Sequence, residues 1–222
     1  IQKAPLSIKV IKGTQLNENN FGEDMPFLLE STPSAVVTSD AGNGVGYTGM
    51  RIRGSDETRV SVTVNGVPYN DAESQQTYWV DLPDFASSVD DIQIQRGVGT
   101  STNGISAFGA AININTNNLS TTPFAKAGYY TGSFNLSKKM IQFGSGLINK
   151  HWTIEGRYSD VYAEGFIDRA YADLNSYFIT AAYQNEKYKS VINVFSGNEV
   201  TYQSWGGVPE EIIDTNRTFN PY

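Results

Sequence analysis

The chain has 222 residues, of which 23 are acidic and 16 basic, giving a net charge of −7, with one histidine and no cysteine. The lack of cysteine removes disulfides, thiolate metal sites and cysteine nucleophiles, and the single imidazole of His151 cannot by itself build a triad or a two-histidine metal site. The basic residues are spread too thinly for the stripe that nucleic-acid binding needs or for a polybasic membrane patch, so no nucleic-acid partner is expected.

The opening residues "IQKAPLSIKV" lack a basic stretch followed by an apolar one, and a mature or already trimmed start is expected. In "DMPFLLEST", Asp24 reads as an N-cap and Pro26 stands early in the turn, where a missing N–H costs little, so a short helix is expected. "VSVTVNGVPYND" alternates Val60, Val62 and Val64 with Ser61 and Thr63 and then turns at Asn65-Gly66, a strong hairpin signal. "DLPDFASSV" reads as a second capped short helix, and Asp81, Asp84 and Asp90 are assigned to helix starts and strand edges rather than to a catalytic pair. "DIQIQRG" and "AININT" are period-two strands with Ile92, Ile94, Ile112 and Ile114 on one face. Between them Gly99 and Gly104 have P-loop spacing, but Ile105 and Ser106 stand where Lys and Ser or Thr are required, which leaves tight turns as the reading. This half reads as a small α+β domain.

A polar linker at 117–123 separates that half from longer segments. No run of 18 apolar residues occurs, so a transmembrane helix is excluded, but 21 glycines, 13 tyrosines and 11 phenylalanines suit membrane strands. The first strand is expected at 124–133. In "KMIQFGSGLI", Ile141, Phe143 and Leu147 alternate with Gln142, Gly144 and Gly146. "HWTIEGRYSDVY" sets Trp152, Ile154, Tyr158 and Tyr162 against Thr153, Glu155, Arg157 and Ser159, after a turn that leaves His151 at a surface or interface. "LNSYFITAAYQ" groups Tyr177, Ile179, Ala181 and Tyr183 but carries Phe178 on its polar face, and "YKSVINVFSGN" alternates less cleanly. Half-buried strands of a soluble sandwich show the same alternation. The connections separate the two: tight turns at Asn149-Lys150 and "NEK" alternate with long loops at "AEGFIDRAYAD" and after 199, as in a membrane barrel, with the short "FNLSK" as an exception. Five such strands cannot close, and an open edge cannot face lipid, so a piece of a larger barrel is expected.

Three motifs in order, "MRIRGSD" at 50–56, "VTVNGVPYNDAE" at 62–73 and "DDIQIQRGVGTSTNGISAFGAAININT" at 90–116, resemble the N-terminal part of TonB-dependent outer-membrane receptors. The style of "GSDETR" and "EGFIDRAYADLNSYF" resembles the Bacteroidetes type. The resemblance implies an α+β plug domain over 1–118, then at 119–222 the first antiparallel strands of a large transmembrane β-barrel, of about 22 strands in receptors whose lumen is plugged. It implies a Gram-negative outer-membrane location in contact with outer-membrane lipid, no enzymatic activity, no cofactor, and TonB with its inner-membrane energising complex as partner. A TonB box is not recognisable. The implied function is active import of a scarce small-molecule ligand, an iron chelate (siderophore) or haem. The alternative is a glycan or peptide importer working with a surface lipoprotein, although "GSDETRVSVTVNG" lacks the inserted loop and "DG" ending associated with the glycan group. A non-transporting barrel would be marked by the absence of ligand-dependent uptake, and a carbohydrate-active barrel would need a convergent carboxylate pair, which the strands do not offer. By the same resemblance, Arg53 and Arg96 face the barrel wall and pair with barrel glutamates beyond Tyr222. Ligand meets outward loops carrying Tyr47, Tyr69, Asn70, Gln75, Gln76, Tyr78 and Trp79, whose amides and aromatic faces suit a polar, ring-bearing or chelated molecule. Asp71 and Glu73 add negative charge, which disfavours a trianionic chelate.

Overall fold

The computed structural model describes residues 7–97 and 108–222, so the Gly99 to Gly104 stretch lies outside the described residues. The N-terminal part contains β1 (Ser7–Lys12), α1 (Gly13–Asn19), α2 (Met25–Leu28), β2 (Ala35–Ser39), β3 (Thr48–Ile52), β4 (Val60–Val64), β5 (Val67–Pro68), β6 (Asp91–Arg96) and β7 (Ala110–Asn115). One sheet runs β1-β6-β7-β4-β5, and β2 pairs with β3 as a separate ribbon. Among the described residues only β4 and β7 pair in parallel, with Val62 opposite Ile112. The buried faces of β4, β6 and β7 bring Val60, Val62, Ile92, Ile94, Ile112 and Ile114 into one core with Leu16, Leu29, Ile52 and Phe85. The hairpin between β4 and β5 forms as its sequence demands, with Asn65 at φ 52° and Gly66 at φ 82°, the left-handed pair of a type I′ turn. Gly13 lets α1 start against the sheet: its N–H donates to the Asp90 carbonyl at 2.7 Å, and a Cβ there would lie 2.2 Å from the Val89 oxygen.

The two expected helices are modified. Asp24 does precede α2, but its carboxylate accepts from Thr48 Oγ1 at 2.8 Å instead of capping the helix. The "DLPDFASSV" segment forms two 3₁₀ turns, Trp79–Asp81 and Phe85–Ser88. Pro83, which has no N–H to donate, stands between them. Asp84 has φ 47° and does not cap the second turn with its side chain, because the carboxylate is engaged elsewhere.

The C-terminal part is an antiparallel meander of β8 (Pro123–Thr131), β9 (Ser137–Ser145), β10 (Trp152–Glu164), β11 (Tyr171–Gln184) and β12 (Lys189–Thr201), paired in chain order. All five expected strands form. Its two faces are reversed relative to a soluble sheet. Ile141 (58%), Trp152 (52%), Tyr158 (48%), Ile179 (44%) and Ile192 (66%) are exposed, whereas Lys138, Thr153, Arg157, Ser159, Ser176 and Thr180 are buried under the N-terminal part. A wall that is apolar outside and polar inside belongs between lipid and a filled lumen. Trp152 and Tyr183, opposite each other with ring centroids 4.9 Å apart, form an aromatic pair at the end with the tight turns. At that end Asn149 and Lys150 make a left-handed turn, with φ 49° and 62°, and the exposed His151 ring bonds the Gln184 carbonyl at 2.9 Å. The long loop expected at "AEGFIDRAYAD" is shorter, because Glu164 and Tyr171 still pair and only 165–170 are left outside the ladder. Among the described residues no helix is long and apolar enough to cross a membrane.

Candidate functional site

β3, the loop before it and residues 76–80 enclose a cleft of about 190 Å³. Gly46, in the loop before β3, rests against Ala172 and Thr201, where β11 begins and β12 ends, so the cleft lies toward the end of the wall that carries 165–170 and the long segment after Thr201. Of the seven expected ligand residues, Tyr47, Gln76, Tyr78 and Trp79 line it, beside Asp40, Glu57 and Thr77. Tyr47 meets Trp205, from the loop after β12, edge to face at 5.9 Å. Trp79 is 3% exposed and roots the cleft in the core. Glu57 accepts from the Met50 N–H at 3.1 Å, in space left by Gly49, where a Cβ would lie 2.0 Å from the carboxylate.

The other three residues lie outside the cleft. Tyr69 packs against the core. Burial, with Asp81 nearby, pushes its phenol up to about 12. Asn70 is a bracket: its Oδ1 accepts from the Val62 N–H at 2.8 Å and its Nδ2 donates to the Val60 and Gln75 carbonyls, both at 2.9 Å. Gln75, at φ 62°, donates to the Ala72 carbonyl at 3.0 Å in a loop held by Asp71, whose Oδ1 accepts from Ser74 N–H and Oγ. Within the cleft, burial pushes the Asp40 carboxyl up, and burial outweighs the Met50 N–H in raising Glu57. Among the described residues the lining carries two carboxylates and no Lys or Arg.

A second polar cluster lies where 83–88 meet the wall. Asp84 Oδ1 accepts from Lys138 Nζ at 2.6 Å, Arg157 Nη1 lies 3.5 Å from Oδ2, and the three side chains are 0%, 1% and 3% exposed. Ser159 Oγ donates to the same carboxylate, and Lys138 Nζ also reaches Ser87 Oγ at 3.1 Å and the Asn20 carbonyl at 3.3 Å. Burial opposes ionisation of Asp84, but the Lys138 and Arg157 charges outweigh it and hold the carboxyl below its ordinary range. Arg53 and Arg96 do not take part. Arg96 donates to Ser7 Oγ and to the Pro33 carbonyl, while Arg53 is exposed at φ 54° with its guanidinium beside Gly97.

A small α+β domain tied by buried charges to a lipid-facing wall matches a known arrangement. The family model of the TonB-dependent receptor plug domain matches residues 1–111. The chain belongs to the TonB-dependent receptor family. Solved structures share its fold. The siderophore receptor PirA from Acinetobacter baumannii is 18% identical, with a TM-score of 0.69 over 89% of this chain and 32% of its own. The copper transporter OprC is 14% identical, with 0.73 over 90% and 32%. The unliganded ferric citrate transporter FecA is 18% identical, with 0.72 over 97% and 34%. The chain thus spans about a third of the length of the solved receptors it matches. Among curated proteins nothing matches.

Membership makes the N-terminal part a plug, the meander the start of a barrel wall, and the location the outer membrane of a Gram-negative bacterium. The family is one of transporters and receptors. Short turns then face the periplasm and longer loops the outside, which puts the cleft on the outer side of the plug. Sequence reasoning missed the Asp84 cluster. Its signal was present in Lys138 and Arg157, two cations at inward positions of wall strands that need a counter-charge once a plug covers them.

Proposed function

We propose that the complete receptor is a TonB-dependent active transporter that imports a scarce nutrient, an iron chelate or haem, through a plug occupying 1–118 and a barrel beginning in 119–222. The observation that carries this reading is the outward cleft shared by Tyr47, Gln76, Tyr78 and Trp79, on a plug held against a lipid-facing wall. PirA and FecA are by name a siderophore receptor and a ferric citrate transporter, which supports iron as the cargo class. Asp40 and Glu57, with no base in the lining, favour a neutral or cationic chelate over an anionic one. Tyr69, Asn70 and Gln75 then support the binding loop rather than touch the ligand.

In this mechanism the chelate settles on the cleft from outside, and TonB, with its inner-membrane energising complex, engages the periplasmic side. Force derived from the proton gradient then moves part of the plug. Arg53 and Arg96 are read as plug–barrel contacts to glutamates of later strands; the exposed Arg53 guanidinium is free to reach such a wall. The style of "GSDETR", "YWVDLPDFASSVDDIQIQRGVG" and "EGFIDRAYADLNSYF" supports the Bacteroidetes type.

The test uses cells whose only receptor of this class is the complete protein, supplied with iron-55 in their own spent medium. Uptake is expected to fall to background when the proton gradient is collapsed, and equal uptake would refute the energised model. Gln76→Ala with Tyr78→Ala is expected to weaken chelate binding at least about tenfold, or 1.4 kcal/mol. Uptake indifferent to iron but dependent on a co-purifying surface lipoprotein would move the cargo to a glycan or peptide.

A further inference from the structure

We infer that the Asp84 cluster is a mooring: it stays closed during transport, so that residues 83–88 remain on the barrel wall while other parts of the plug rearrange. The inference rests on the plug-and-barrel transport reading above.

Three ionised groups meet in a site from which water is excluded, each side chain 3% exposed or less. Lifting 83–88 off the wall would strand Lys138 and Arg157 with no counter-charge, which is far costlier than breaking an exposed bond. The bonds also reach three successive strands: Lys138 on β9, Arg157 and Ser159 on β10, and Ser176 on β11. Both ends of the segment are tied, since Ser176 Oγ donates to the Pro83 carbonyl at 2.7 Å and Arg157 Nε donates to Ser88 Oγ at 2.7 Å. Beside the charges, the Phe85 ring meets Phe178 at 5.6 Å and Phe195 at 5.5 Å. Gly197 admits Pro83, because a Cβ there would lie 2.7 Å from Pro83 Cδ. The contact of Val45 and Val80 with Val161, Ala163, Ala172 and Leu174 is also buried but carries no charge, whereas some polar plug–wall contacts are exposed, such as Asn43 Nδ2 to the Glu164 carbonyl at 2.7 Å and Lys189 Nζ to the Asn117 carbonyl at 2.9 Å. Segments that move in function come from the weakly held end of a structure, so the exposed contacts yield first.

The experiment cross-links the complete receptor at this segment. Gln142 Nε2 donates to the Ser87 carbonyl, so Ser87→Cys and Gln142→Cys are within reach of a short, reducible thiol-to-thiol linker, and this stretch of the receptor contains no native cysteine. Iron-55 uptake from spent medium is expected to stay within about twofold of the unlinked receptor, because the linked contact does not need to open. Uptake lost on linking and restored on reduction would overturn the mooring. If even the unlinked receptor takes up no iron-55, the iron reading fails and a second measurement decides. In growing cells Ser87→Cys alone is labelled with a membrane-impermeant maleimide, with and without the proton gradient. Protection in both conditions supports the mooring, and gradient-dependent labelling overturns it.

Discussion

At the scale of single residues, Asp84 and Asp90 stand six positions apart and titrate in opposite directions, because two cations face the buried Asp84 whereas Asp90 is buried without such compensation. Asp84→Asn keeps a residue that tolerates the φ of 47° while removing the charge, so it isolates the electrostatic part of the cluster. Leaving Lys138 and Arg157 without a buried counter-charge is expected to destabilise plug seating by about 3–5 kcal/mol. The loss would be read as earlier thermal release and faster proteolysis of the plug, and adding Lys138→Met is expected to recover part of it. An unchanged melting profile in Asp84→Asn would show that the cluster contributes no net stability.

Burial pushes the Asp90 carboxyl from 3.8 up to about 6; Glu155 and Asp91 add to this, while the Asn118 N–H and Lys189 oppose it. The folded chain therefore holds this proton at a pH where the unfolded chain has lost it. The contribution of Asp90 to stability is full below 3.8 and is lost as pH rises through about 6. Asp84, whose carboxyl is lowered, acts in the opposite sense: its contribution is present above the ordinary carboxylate range and is lost as pH falls through its lowered value. Asp90→Asn is expected to flatten the fall in stability between about pH 4 and 6, measured by denaturant unfolding of the complete receptor in detergent. A pH profile identical to that of the parent would show that Asp90 ionises normally.

At the scale of elements, the wall strands were legible because alternation with a period of two is imposed by the pleat itself. Phe178 is the informative exception. On the polar face of β11 it looked like a blemish in the pattern, and it proves to be a plug contact, stacked on Phe195 at 5.7 Å and edge-on to Phe85. An inward aromatic is stable there only because another domain fills the lumen. The outward face obeys the opposite rule. Ile179→Arg, on the exposed face of β11, is expected to cost about 2–4 kcal/mol near the bilayer midplane. It should lower the fraction of receptor recovered as a heat-modifiable folded barrel, whereas the inward Thr180→Ser should leave that fraction unchanged. Equal recovery of the two variants would mean that this face of β11 does not meet lipid.

At the scale of the whole molecule, two sheets of opposite character share one chain. The plug sheet buries apolar side chains on itself, and the wall turns mainly polar side chains toward the plug, with Val161, Leu174 and Phe178 as inward apolar residues, and exposes apolar ones on its other face. Such a wall has no core of its own, so its inner polar groups must be satisfied by whatever occupies the lumen. Lys138, Arg157, Gln142 and Ser176 are satisfied by plug groups: Asp84, Ser88, the Ser87 carbonyl and the Pro83 carbonyl. The seating of the plug is thus specified by polar complementarity together with the buried apolar contact of Val45 and Val80 with Val161, Ala163, Ala172 and Leu174.

The sequence by itself determined the β4–β5 hairpin, the Ile92, Ile94, Ile112 and Ile114 face, all five wall strands and the family, because periodicity, turn chemistry and ordered motifs are local properties of the chain. It also placed Tyr47, Gln76, Tyr78 and Trp79 on the loops that form the cleft. Only the tertiary structure separated these four from Tyr69, Asn70 and Gln75, since the choice between lining a cleft and bracing a loop depends on which backbone groups stand opposite. Likewise only the tertiary structure took Asp84 away from a helix cap and gave it to Lys138 and Arg157, which lie 54 positions or more along the chain. A carboxylate goes to the partners that best repay its desolvation, and those are brought near by the packing of two sheets rather than by neighbours in sequence.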